Sequence, residues 1–147
     1  MMDQDKILVF EQFARKAKER IEERKKFKKE ELVIESMGGL TMEIRGLSDA
    51  EINEIYEFSD EAIEVDRYLI YCASSTLQEA AKLMVKVNTL QPSKEYKITE
   101  MFTSAERNFV AKRVLTLSGV YDDSGIRVKR LLSRWAVLAS SASATTA

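Results

Sequence analysis

The sequence has no histidine, one cysteine (Cys72), one proline (Pro92) and five glycines in 147 residues. Lacking histidine, it lacks the commonest general base near neutral pH and the commonest zinc ligand. With a single thiol as well, it can assemble no internal disulfide, no Cys–His nucleophile pair and no Ser–His–Asp triad. The glycines stand at 38, 39, 46, 119 and 125, a spacing that fits neither a phosphate-binding loop nor a dinucleotide fingerprint. The Asp122-Asp123-Ser124-Gly125 turn is too short for a calcium loop and lacks its distal bidentate acid. No stretch approaches the apolar length of a membrane span, and the first residues carry no signal-peptide run. A net charge of −1 gives no global case for nucleic acid or an anionic membrane. These absences lead to the expectation of a soluble intracellular protein that works by binding another protein. No catalytic residue, metal ligand or cofactor site is expected.

One enzyme motif is present. Asp123-Ser124-Gly125 matches the tripeptide of aspartic proteases, whose chemistry needs it in a tight loop amid hydrophobic strands. Here it stands between a helix end and a basic helix, and it reads as a solvent turn.

What is present is mostly helical periodicity. Hydrophobic residues at 45% and charged residues at 32% fit a globular chain, and the length suits one domain. Residues 3–30 read as one charged helix with a narrow stripe of Ile7, Phe10, Ala14, Ala17 and Ile21. Two readings are open for it: a helix whose first half packs and whose second half is solvated, or a short coiled-coil arm. The period then changes to two. Residues 32–37 and 40–45 flank Gly38-Gly39 and predict a hairpin with a two-residue turn, burying the face of Leu40, Met42 and Ile44. Ser48 and Glu51 have capping-box spacing and open a helix over 48–58. Residues 49–66 hold eight acidic and no basic side chains, either a solvated face or a dock for a basic segment.

The series Val65, Leu69, Cys72, Ala73, Thr76, Ala80, Leu83, Met84 and Val87 predicts helix over 62–87. Ser74-Ser75-Thr76 divides it in two, with Ser75 or Thr76 as the second cap. Cys72 lies within the stripe and reads as a small core residue. Pro92 marks a loop over 88–97. Thr103 or Ser104 caps a helix over 103–118, and Gly119 sits where a left-handed C-terminal cap belongs. A basic amphipathic helix is expected over 126–138, with Leu131, Leu132, Trp135 and Leu138 on one side. It closes over the core, or meets a partner or the acidic stretch of another subunit, or touches a membrane or nucleic acid. Its four cations supply few phosphate contacts. Residues 140–147 hold only Ala, Ser and Thr and are expected to be disordered.

The fold class expected is therefore mainly α (α+β): a charged N-terminal helix over 1–31, an α+β domain with one β-hairpin over 32–121, a basic helix over 122–139 and a tail over 140–147.

The segment Leu40-Thr41-Met42-Glu43-Ile44-Arg45-Gly46-Leu47-Ser48, followed by Asp49-Ala50-Glu51-Ile52, resembles the strand and capped helix of XkdN-like phage tail assembly chaperones. These belong to long-tailed phages and phage-derived tail particles of Gram-positive bacteria. Asp66-Arg67-Tyr68-Leu69 with Ala73-Ser74 resembles the family's next helix. Met101-Phe102, Ala105-Glu106-Arg107 and Leu117-Ser118-Gly119 resemble its closing segment. The similarity spans about residues 30–121. It implies a protein made in the bacterial host cytoplasm that binds the tape-measure protein and keeps it soluble until tail-tube subunits polymerise around it. It implies absence from the finished particle, with the tail-tube protein as a further partner and self-association as an open question. The alternative is a small structural or connector subunit that stays in the tail. A chaperone of this kind needs an adaptable apolar groove, and six methionines suit one. Leu83, Met84, Met101 and Phe102, which flank the proline-marked loop, are the candidate partner-binding residues; the competing reading makes them ordinary core.

Overall fold

The computed structural model describes residues 4–120. The basic helix expected over 126–138, the Asp123-Ser124-Gly125 turn and the tail over 140–147 lie outside the described residues. Within them the order is α1 (Gln4–Arg24), β1 (Lys29–Ile34), β2 (Leu40–Arg45), α2 (Asp49–Tyr56), α3 (Ala62–Cys72), α4 (Ser75–Lys86) and α5 (Ser104–Leu117), with 3-10 segments at Glu35–Met37 and Glu95–Met101. The fold is mainly α with one antiparallel hairpin, as expected.

The hairpin departs from its sequence reading in boundary and turn. β1 starts in the charged Lys29-Glu30-Glu31 run, and its register pairs Lys29 with Arg45 and Ile34 with Leu40. Five residues connect the strands, because Glu35–Met37 coils into a 3-10 turn before the glycines. Gly38 and Gly39 do take the positive φ that was expected, 71° and 80°. Charge can enter β1 because Glu30 pairs with Arg113 of α5 and Lys29 pairs with Glu43 across the strands. Met42 and Ile44 face the core at 1% and 0% exposure, whereas Leu40 lies past the helical cover and is exposed.

The outer edge of β2 is closed by the joint between α3 and α4. Arg45 N–H donates to the Ala73 carbonyl at 2.9 Å, and Glu43 N–H donates to Thr76 Oγ1 at 3.1 Å. The joint is the break expected near Ser74-Ser75-Thr76, but Ser74 itself is the cap, its Oγ accepting from Leu77 N–H. That break resets the helical phase. Before it Val65, Leu69 and Ala73 are buried; after it Leu77 and Ala81 are buried, while Leu83 and Val87 turn outward.

α3 is the hub, packing against α5, α2, α4 and the Glu95–Met101 segment. Ile70 of α3 and Val114 of α5 both lie in the core with no exposure. Each such side chain contributes about 1.5–3 kcal/mol by leaving water. Gly46 passes so close to α5 that a Cβ there would stand 2.6 Å from the Leu117 carbonyl oxygen. The expected capping box of Ser48 with Glu51 is formed, and of the two candidate caps for α5 it is Thr103 that serves, in a capping box with Glu106. Gly119 takes φ +84° and closes α5 as a left-handed cap.

α1 overturns the packing expected of its first half. None of its residues is buried, and Ile7, Phe10 and Ile21 of the apolar stripe are all exposed. Its last turn reaches the domain through Arg24, 3.6 Å from Asp49. Within the acidic stretch Asp49 meets Arg24, Glu51 meets Arg45 and Glu64 meets Arg67.

Candidate partner-binding groove

The hairpin and α5 enclose an open apolar groove of about 460 Å³. Its floor is Met42, Phe102 and Val110, all buried, and its walls are the half-buried Leu32 and Ile34 and the exposed Phe109. The geometry follows from two local facts. The Thr103–Glu106 capping box fixes where α5 begins, so Phe102 ends the preceding segment pointing inward while Phe109 and Val110 follow one face of the helix. The even residues of β1 face the helices, so Leu32 and Ile34 lean over α5.

Polar contacts hold the two walls together. Arg113 Nε donates to Glu30 Oε1 at 2.9 Å, and a second guanidinium nitrogen bonds the other carboxylate oxygen. Ser36 Oγ, in the hairpin loop, donates to Glu106 Oε2. That bond and the Thr103 backbone N–H hold the Glu106 carboxyl below the usual carboxylate range. The groove is thus pinned at both ends and open along its length.

One wall is also an unpaired strand edge. Gly46 N–H donates to the Lys28 carbonyl at 2.8 Å, and Glu43 and Arg45 point their N–H groups away from β1. Bonded pairs in the ladder therefore fall at Glu30 with Ile44 and Leu32 with Met42. The backbone groups of Lys29, Glu31 and Val33 then face outward, and among the described residues no strand pairs with them. An unpaired edge is a template for another chain.

The four residues singled out from sequence do not form one site. Phe102 is 7% exposed and belongs to the groove floor. Met101, beside it, is 40% exposed and does not line the groove. Met84 is half-buried against the core, and its carbonyl accepts from Thr89 and Leu90 N–H. Leu83 stands 64% exposed on the outer face of α4. The sequence reading missed Leu32, Ile34, Phe109 and Val110 as groove residues; the strand alternation at 32–34 and the adjacent Phe109-Val110 pair were the available signals.

Cys72 is half-buried, and burial pushes its thiol pKa up, away from the thiolate that reacts. Among the described residues no group of His, Cys, Asp and Glu side chains is placed to hold a metal ion. Among them, too, no helix is long and apolar enough to cross a membrane. No protein-family model, curated protein or solved structure matches the chain.

Proposed function

We propose that this chain is a phage tail assembly chaperone that binds a tape-measure protein non-covalently and keeps it soluble until the tail tube forms around it. The observation that carries the reading is the apolar groove between β1 and α5, added to the resemblance of residues 30–121 to XkdN-like chaperones. Its volume falls within the roughly 300–1,000 Å³ of ordinary ligand pockets, so it admits the apolar side chains along one helix face rather than a whole helix. Helix-in-groove binding has that geometry. Phe109, exposed at the rim, supplies the aromatic anchor typical of such contacts. The chaperone would act in the bacterial host cytoplasm and leave before the particle matures.

The test is co-expression with a tape-measure protein. Alone, the tape-measure chain is expected to precipitate, and with this protein to stay in solution. Phe109→Asp should abolish co-purification while leaving the chaperone folded, because Phe109 is 60% exposed. Leu83→Ser, on α4, should leave binding intact. Mass spectrometry of purified particles decides against the rival reading: stoichiometric recovery of this chain from mature tails would make it a structural or connector subunit instead.

A further inference from the structure

We propose that α1 is a dimerisation arm that pairs antiparallel with α1 of a second copy of this chain. The proposal is independent of the tape-measure reading. α1 has 21 residues, which makes it about 31 Å long. It buries none of them, yet Phe10 is 56% exposed, Phe13 75% and Ile21 59%. Most helical stability in proteins comes from packing an apolar face. α1 has no such packing in its own domain.

The sequence of α1 specifies the occupant. Ile7, Ala14 and Ile21 take one core position of a heptad, and Phe10 and Ala17 take the other. In an antiparallel pair, one register sets Phe10 against Ile21 of the second copy and Ala14 against Ala17 of the second copy. The same register places Glu11 beside the partner's Lys18 and Phe13 beside the partner's Arg20, and two-fold symmetry makes each contact twice. A parallel pair would instead set Lys6 beside Glu11, so the pairing of residues 11 and 18 distinguishes the two arrangements.

The experiment is sedimentation of the full chain across concentrations, with charge reversals at the paired positions. The wild type is expected to be a dimer. Glu11→Lys and Lys18→Glu alone should each weaken the dimer at least about tenfold, since each turns two attractions into two repulsions. The double variant should restore it, because it rebuilds the same pairs with signs exchanged. Circular dichroism of the four proteins checks that the domain stays folded. A monomeric wild type overturns the proposal, as does a double variant no tighter than the singles, since only this register places residues 11 and 18 side by side.

Discussion

α1 and the domain that follows it both carry regular apolar stripes, but they differ in what covers them. In residues 29–120 every long stripe finds a second element of the same chain: Met42 and Ile44 lie under α4 and α5, and Leu69 and Ile70 lie against α5 and the Glu95–Met101 segment. In residues 4–24 the stripe is as regular, yet no residue is buried. Amphipathic periodicity reports that a helix has an apolar face. It is silent on whether the cover belongs to the same chain.

The largest expected effects break this contrast directly. Leu69→Ala removes a side chain that is 1% exposed and should cost about 2–5 kcal/mol in chemical denaturation. Phe10→Ala on α1 should change domain stability by no more than about 0.5 kcal/mol, measured at a concentration where the chain is monomeric. Equal losses would mean that α1 is part of the cooperative unit after all. Gly46→Ala comes next. Its Cβ would meet the Leu117 carbonyl oxygen at 2.6 Å and the carbonyl carbon at 3.0 Å, both backbone, so strand or helix must move. The thermal midpoint should fall by an amount matching about 1–3 kcal/mol. An unchanged midpoint would show that the hairpin and α5 are less firmly joined than their polar contacts suggest.

Thr103→Ala tests the joint that shapes the groove. The hydroxyl accepts from Glu106 N–H, and the Glu106 side chain accepts from Thr103 N–H. Losing the cap should cost about 1 kcal/mol. Because Glu106 also accepts from Ser36, the hairpin loop should loosen with it, visible as faster amide exchange at 35–39.

The sequence made some of this legible and hid the rest for identifiable reasons. The capping box at Ser48, a cap at Thr103 or Ser104, the left-handed Gly119 and the break between α3 and α4 are local signals, and each stands in the structure, with Thr103 as the cap. The hairpin turn was misread because Gly38-Gly39 resembles a two-residue turn whether or not a 3-10 turn precedes it. The charged start of β1 was assigned to the helix because its reason, Arg113, lies far along the chain. Leu83 was placed in a continuous stripe, but the cap at Ser74 shifts the phase by enough to turn it outward. The groove itself joins residues 32–42 to residues 102–110, a meeting that no local pattern announces.

The smallest expected effect concerns the place where α1's linker meets the domain. Arg45 bonds both oxygens of Glu51, at 3.2 and 2.8 Å, and its guanidinium lies 4.5 Å from the centre of the Phe27 ring. The bond to Arg45 holds the Glu51 carboxyl below the usual glutamate range, against a smaller opposing push from burial. A carboxyl lowered in the folded state stabilises the fold above its unfolded pKa. That contribution fades as the pH falls through the lowered folded value, when both states become protonated. Stability should therefore be level through neutral pH and decline on the acid side of the ordinary glutamate range. The pair is about one-third exposed, so its share should be about 1 kcal/mol or less. Glu51→Gln should lower stability at pH 7 by about that amount and flatten part of the acid decline. Amide exchange should show the loss at the start of α2, leaving α1 unchanged. A loss that spread into α1 instead would mean that the linker transmits strain between arm and domain, and that the two regions are coupled through Phe27.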